Sequence, residues 1–237
     1  MVTTQTKKQA DGARNAQNLL ESRFVHDLRA SLRAVATLPD WIIEDLDPLS
    51  ATVPRDVYRY LLDIKAKAHR ADALLLSMRE FCDLDGPAEM GCRIDSVAEI
   101  NAAVAEFSMP DGFRVEMELV AWACDLPKGE LARVVIALLD NACRHHGGNS
   151  GVIRVTNVGT NGAVHVSDDG QGIPEEFREK VFDPLTTLKP RDVVEGSGLG
   201  LSIARKRVER WGGTLTVKDK VGCSGATLVI TLPVSRV

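Results

Sequence analysis

Apolar residues recur at alternating steps of three and four through two early stretches of the chain. Steps of this kind average about 3.5 residues and are typical of helices that pack along one apolar seam in a coiled coil or bundle. The seam positions are Val25, Leu28, Leu32, Val35, Pro39, Ile42 and Leu46, followed by Val57, Leu61, Ile64, Ala68, Ala71, Leu75, Met78 and Cys82.

The two helical stretches are separated by LDPLSATVPRD, a segment with two prolines that is typical of a turn. Two helices with such a connection form an antiparallel hairpin, and a hairpin alone cannot bury its seam. Two hairpins make a four-helix bundle, so we expect a homodimer through residues 10–84, the alternative being a monomeric helical region. Pro39 removes a backbone donor and should kink or end the first helix.

After Leu84-Asp-Gly-Pro87 the pattern changes to short β-type runs that alternate with helical ones. This alternation predicts an α/β sandwich over residues 90–235, with a mixed sheet and helices on one face, so that the whole chain is of the α+β class. The predicted strands are Phe113–Val120, Val152–Val158, Ala163–Ser167, Thr214–Lys218 and Thr227–Pro233, and the predicted helices are Val97–Phe107, Lys128–His145 and Leu199–Trp211.

Composition narrows the class of protein. The 237 residues are 44% hydrophobic and 26% charged, which is ordinary for a globular protein. The net charge of −4 without a long basic run argues against nucleic acid as a partner. No apolar run approaches the ~18 residues of a membrane span, and five cysteines without a CxxC pair favour reduced thiols. We therefore expect a cytoplasmic protein that does not insert into a membrane.

Two glycine clusters mark a candidate ligand site. In SDDGQGIPEEF, Asp168 follows a predicted strand, and its carboxylate can accept from an exocyclic amine such as that of adenine. The second cluster, Gly196, Gly198 and Gly200, precedes an apolar helix whose N-terminus can bind phosphates. Neither cluster is a Walker A or a dinucleotide motif, and either one alone could be a loop without a ligand.

The predicted helix Lys128–His145, which precedes both glycine clusters, ends in a group of polar residues. Asn141, Arg144 and His145 share one helical face, and an amide, a cation and an imidazole suit a Mg²⁺–triphosphate. Capping of the helix end is the alternative for His145 and His146. Further along, Asp183–Ser197 lacks periodicity and is predicted to be a mobile lid over the nucleotide.

Taken in order, the motifs resemble those of the sensor histidine kinases of bacterial two-component systems, over nearly all of residues 20–235. FVHDLRASL resembles the H-box of that family and LLDNACRHH its N-box. The later motifs are DDGQGIP for the G1 box, VFDPLTT for the F-box, GSGLGL for the G2 box and GATLVITLP for the last glycine box.

The resemblance implies ATP and Mg²⁺ as cofactors. His26 would accept the γ-phosphoryl group with Asp27 as its acidic catalytic partner, Asn141 would hold Mg²⁺, and Asp168 would bind the adenine amine. An aspartate of a response regulator receiver domain would then take the phosphoryl group. The other nucleotide-binding residues implied are Arg144, His145, Gly170, Gly172, Ile173, Lys189, Gly196, Gly198, Leu199, Gly200 and Thr227.

Four positions depart from the family pattern. Ser31 replaces a proline, which should leave the first helix less bent. Ala30 replaces a Thr or Asn that positions water, which puts phosphatase activity in doubt. Ala137 replaces the first asparagine of the N-box, and Leu185 replaces a phenylalanine of the F-box.

Other functions of the same nucleotide fold fit less well. Gyrase-type ATPases carry a water-activating glutamate where this chain has Ala137, and anti-sigma-factor kinases lack the histidine hairpin. A non-catalytic phosphotransfer protein or a regulatory pseudokinase stays open as the alternative. No sensor domain fits in the first 20 residues, so the signal is expected from a further domain or a separate sensor protein.

Overall fold

The computed structural model describes residues 25–49, 52–87, 90–157, 159–187, 197–218 and 224–234. The chain divides into two compact units, Met1–Arg79 and Glu80–Val237. Helices make up the described part of the first unit, and a sheet with helices makes up most of the second. The predicted α+β organisation, a helical hairpin followed by an α/β sheet unit, is confirmed.

The hairpin consists of helix α1, residues 25–46, and helix α2, Arg55–Asp83, with a single 3-10 turn at Asp47–Leu49 between them. Pro39 lies inside α1, its ring is buried, and the helix continues beyond it. The expectation that Pro39 could end the helix is therefore wrong. One missing N–H removes one bond of the ladder, and packing of the ring against the hairpin keeps the neighbouring turns helical.

Two ion pairs join α1 to α2. Arg29 Nε donates to Asp72 Oδ1 over 2.7 Å, and Lys65 Nζ donates to Asp40 Oδ1 over 2.7 Å. The first pair joins an early turn of α1 to a late turn of α2, and the second joins the opposite ends, so the helices are antiparallel. The Arg29 pair lowers the pKa of Asp72, mainly through the hydrogen bond.

Only part of the predicted seam is covered within one hairpin. Leu61 and Ala68 are buried, whereas other seam residues are exposed. Apart from Cys82, the exposed ones lie seven residues apart on α1 and fourteen apart on α2, so that each helix exposes a row of apolar side chains. They are Leu28, Val35 and Ile42 on α1, and Ile64 and Met78 on α2.

The described part of the second unit contains the last turn of α2, a series of strands and three more helices. In chain order they are β1 Cys92–Asp95, α3 Ser96–Glu106, β2 Phe113–Glu118, β3 Ala123–Leu126, α4 Glu130–His145, β4 Gly151–Thr156, β5 Ala163–Asp168, α5 Gly200–Arg210, β6 Thr214–Lys218 and β7 Thr227–Thr231.

Five strands form the main sheet in the order β2-β4-β5-β7-β6. The β2–β4 pair is parallel and the other pairs are antiparallel, so the sheet is mixed, as predicted. Strands β1 and β3 form a separate antiparallel pair that the sequence analysis did not predict. Each has only four residues, which is too short for alternation to stand out.

One face of the main sheet is buried with the helices in a single core. Alternate side chains of β5, Val164 and Val166, are directed into this core, where they meet the apolar stripe of α4. On α4 the fully buried residues include Leu138 and Leu139. Helix α4 contacts both α3 and α5, and this packing brings its C-terminal end close to the end of β5.

Candidate functional site

The polar end of α4 presents the side-chain amide of Asn141. The Asn141 side chain is half-buried, and it has no hydrogen bond to any residue that the structure describes. Arg144 is exposed, and its Nε donates to both carboxylate oxygens of Asp140 over 2.7 Å. In this structure Arg144 is therefore held one turn back along its own helix, while the Asn141 amide is available to a ligand.

Asp168 closes β5 and is held by the last glycine box. Its Oδ1 accepts from the Gly170 N–H over 2.9 Å and from the Ala226 N–H over 3.2 Å. Its own N–H donates to the Ala226 carbonyl over 3.0 Å. Gly225 has φ +103°, and a Cβ there would overlap the Asp168 carbonyl, so only glycine lets the two strand ends approach this closely.

The loop Asp168–Gly172 lies against the end of α4. The Gln171 N–H donates to the His146 carbonyl over 3.1 Å, and its side-chain amide donates to the His145 carbonyl over 3.1 Å. These bonds satisfy carbonyls at the helix end, which have no partner within the helix. The structure thus brings the N-box and the G1 box together, although they are far apart along the chain.

A histidine–aspartate contact, which the sequence analysis did not anticipate, reinforces the same junction. His146 Nε2 lies 2.8 Å from Asp169 Oδ1, and the histidine side chain is only 10% exposed. The pKa of Asp169 is held below its usual range, first by the Val152 N–H and then by the His146 hydrogen bond. The sequence offered only motif membership as a signal, since His146 lies in the N-box and Asp169 in the G1 box.

The F-box meets the G2 box through a left-handed backbone. Gly198 has φ +69°, and a Cβ there would lie 2.9 Å from the Leu185 carbonyl carbon. Leu185, which replaces the usual phenylalanine, itself has φ +63°. Leu199 is buried, and Gly200 begins α5 with open space where a side chain would be. Of the predicted lid residues, Lys189 and Gly196 lie outside the described residues.

Two further residues that were predicted to bind the nucleotide, Ile173 and Thr227, lie apart from each other in their contacts. Ile173 lines a cavity with Gly172, Gly225 and Ala226. Thr227 is buried, and its hydroxyl lies 2.9 Å from the Ser167 hydroxyl, on the sheet face opposite to Val166. The Thr227 hydroxyl is thus paired with Ser167 in this structure.

His26 lies in the first unit, on the exposed surface of α1. Its side chain is 72% exposed, and its Nδ1 is 3.2 Å from Asp27 Oδ1. An ionised carboxylate only accepts, so this contact requires the ring hydrogen on Nδ1. In the neutral ring with this tautomer, the lone pair is on Nε2.

The part of the chain that the structure describes was compared with the requirements of a protein-bound metal ion and of a membrane-spanning helix. There, no group of three or more His, Cys, Asp or Glu side chains could hold a metal ion. The Asn141 amide oxygen nevertheless fits Mg²⁺, which prefers oxygen ligands and commonly shares its shell with substrate phosphates and water. Among the same residues, every helix is too short or too polar to cross a membrane.

A profile of the family described as histidine kinase-, DNA gyrase B- and HSP90-like ATPase matches residues 128–236. This part of the chain is similar to that ATPase family. The match contains α4, the Asp168 loop, α5 and the last glycine box, which are the elements that meet at the site described above. The match indicates that the second unit binds ATP.

Two curated relatives extend the similarity to the first unit. The histidine-protein kinase/phosphatase MprB of Mycobacterium sp. (strain KMS) is 26% identical over 228 residues, which are 93% of this chain and 44% of the relative. The adaptive-response sensory kinase SasA of Synechococcus sp. (strain JA-3-3Ab) is 26% identical over 90% of this chain and 58% of its own length. The chain thus spans about half the length of these relatives.

Solved structures agree with this similarity. A mycobacterial sensor histidine kinase MprB structure aligns with a TM-score of 0.53 at 26% identity, covering 62% of this chain and 99% of the other. Full-length ShkA in complex with AMPPNP aligns with a TM-score of 0.65 over 92% of this chain and 46% of ShkA. At 16% identity ShkA shows the fold alone. The predicted resemblance to sensor histidine kinases is confirmed.

Proposed function

We propose that this chain is the kinase core of a two-component signalling protein. It would use ATP to phosphorylate His26 and pass the phosphoryl group to an aspartate of a response regulator receiver domain. The observation that carries the proposal is a largely exposed imidazole, that of His26, on a helical hairpin that precedes a unit similar to the ATPase family. Relatives named histidine-protein kinases match across both units.

The His26–Asp27 contact supports one choice of nucleophile. With the hydrogen on Nδ1, the Nε2 lone pair attacks the γ-phosphorus of ATP, and the bond from that phosphorus to the β,γ-bridging oxygen breaks. ADP leaves with the electron pair. Asp27 stabilises the positive charge that develops on the ring and takes up the Nδ1 proton as the neutral phosphoimidazole forms.

The second unit would hold the nucleotide by its two ends. The Asp168 carboxylate, whose Oδ1 is oriented by the N–H groups of Gly170 and Ala226, is a suitable acceptor for the adenine amine. The backbone N–H groups at the start of α5 would face the phosphates, where the helix dipole is positive. Asn141 would hold Mg²⁺, which supplies charge neutralisation on the triphosphate.

We propose residues 10–84 as the dimerising, histidine-bearing domain and 90–235 as the catalytic domain. The exposed apolar row on the hairpin, with members such as Val35 and Ile42, supports a homodimer, because exposed side chains at heptad spacing are suited to a second hairpin. Light scattering of wild-type protein and of Val35→Glu tests this, since a charge in that row should give a monomer.

Labelling with γ-labelled ATP and Mg²⁺ tests the reaction. An acid-labile, base-stable label is expected on the wild type and not on His26→Ala. His69→Ala is a matched control, because His69 is also exposed and lies on the other helix of the hairpin. Proteolysis and mass spectrometry should place the phosphate on His26.

Two results would replace this proposal. An unlabelled wild type that still accepts phosphate from a phosphorylated response regulator would be a phosphotransfer protein without kinase activity. A wild type that does not bind ATP at all would be a regulatory pseudokinase.

A further inference from the structure

We propose that His146 is a positioning residue for ATP, acting through Asp169. Its ring holds the loop Asp168–Gly172 at a fixed distance from the end of α4. The inference rests on the proposed function, in which Asp168 binds adenine and Asn141 holds the metal. His146 itself would touch neither the nucleotide nor the reacting atoms.

The hydrogen bonds of the ring define its orientation. The Gly148 N–H donates to His146 Nδ1 over 3.3 Å, so Nδ1 is an acceptor. The ring hydrogen is then on Nε2, which donates to Asp169 Oδ1 over 2.8 Å. Both ring nitrogens are occupied, and the Phe113 ring meets the imidazole edge-on at 5.2 Å between centroids. The imidazole therefore has one tautomer and one orientation.

Asp169 carries this constraint into the loop. The same Oδ1 also accepts from the Val152 N–H over 2.9 Å, so one oxygen joins the start of β4, the His146 ring and the loop. Hydrogen bonds that involve an ionised group are about twice as strong as neutral ones. Because Asp169 directly follows Asp168, the orientation of one carboxylate limits the position of the other.

The surrounding glycines show that this arrangement is closely packed. A Cβ on Gly170 would lie 2.9 Å from His146 Cδ2, and a Cβ on Gly151 would lie 2.9 Å from both that atom and Asp169 Oδ1. The ring thus fills the space between the start of β4 and the loop. Truncation of the ring would leave a gap into which the loop could move.

The consequence for ATP follows from the position of His146 along α4. It comes five residues after Asn141, about one and a half turns further on. The pair therefore sets the distance between the proposed metal ligand and the proposed adenine acceptor. Without it, the two Gln171 bonds still attach the loop to the helix end, so the unit should fold but bind ATP less tightly.

Calorimetric titration of the whole chain with ATP and Mg²⁺ tests the inference. We expect His146→Ala to raise the Kd for ATP about tenfold, equivalent to about 1.4 kcal/mol. In autophosphorylation, KM should rise similarly while kcat at saturating ATP changes less than about twofold, as expected when binding alone is lost. His146→Gln should recover most of the affinity, because its amide N–H can donate to Asp169.

Two further variants separate positioning from general stability. His165→Ala removes a histidine from the same strand as Asp168, three residues earlier, and should leave the Kd unchanged. Asp169→Ala should raise the Kd at least as much as His146→Ala does, because it also removes the Val152 bond, and the double variant should be no worse than Asp169→Ala alone.

An unchanged Kd in His146→Ala would overturn the inference while leaving the proposed function intact. The inference would also be overturned if His146→Gln lost as much ATP affinity as His146→Ala and if the loss in each variant paralleled its fall in melting temperature. A residue with only a structural role would behave in that way. A wild type that does not bind ATP would instead overturn the proposed function, and the inference with it.

Discussion

Arg207 on α5 lies at the centre of a buried ionic cluster within the second unit. Its side chain is 11% exposed, and Nη1 donates to both carboxylate oxygens of Glu130, at the start of α4, over 2.7 Å. Its Nη2 donates to Glu80 over 2.8 Å. Burial by itself lowers the pKa of Arg207, but the hydrogen bonds to Glu80 and Glu130 outweigh it and raise that pKa above its usual value.

Arg207→Ala should therefore destabilise the second unit substantially. Removing one partner of a buried ion pair costs about 3–5 kcal/mol, because the other charge stays buried. Glu130 keeps one cation here, since Arg133 Nη1 is 2.7 Å from its Oε1. We therefore expect the lower end, about 3 kcal/mol, which corresponds to a fall in Tm of about 6–12 °C for a unit of this size.

Thermal and urea unfolding followed by circular dichroism would measure this effect. Arg133→Ala is the matched control, because it removes a cation from the same carboxylate but is 61% exposed. An exposed pair contributes less than about 1 kcal/mol. A double replacement, Glu130→Met with Arg207→Met, should recover stability toward the wild type. If Arg207→Ala costs no more than Arg133→Ala, the cluster does not stabilise the unit as argued.

Three other predictions concern single positions. Asn141→Ala should abolish autophosphorylation while light scattering still shows the dimer; retained activity would mean that the metal is held elsewhere. Gly198→Ala should weaken ATP binding in a titration, because φ is +69° and a Cβ would lie 2.9 Å from Leu185, and strain of this kind costs about 1–3 kcal/mol. The folded-state pKa of Asp169 is lowered, so its contribution to stability is present above the unfolded pKa of about 3.9 and lost as pH falls through the folded value. In Asp169→Asn, the loss of stability as the pH is lowered should therefore be less steep, as measured by acid unfolding followed by fluorescence. The same steepness in the variant and the wild type would contradict the prediction.

Much of the architecture was predictable because its signals are local. Steps of three and four identified both helices of the hairpin, and β5 and β6 were predicted to within one residue of their observed ends. The errors were also local in origin. Strands β1 and β3 are too short to show a period, and Pro39 was given more weight as a helix breaker than its buried position allows.

Motif order gave the resemblance to sensor histidine kinases, and spacing on one helix placed Asn141 beside Arg144 and His145. The partners of these side chains were not predictable, because they depend on the register and packing of distant segments. The β5–β7 register puts Ala226 next to Asp168 and turns Thr227 toward Ser167. The His146–Asp169 contact joins residues 23 positions apart and exists only because α4 and β5 share one core. Periodicity reports which face of an element is apolar, whereas hydrogen-bond geometry at a site is set by how those faces pack together.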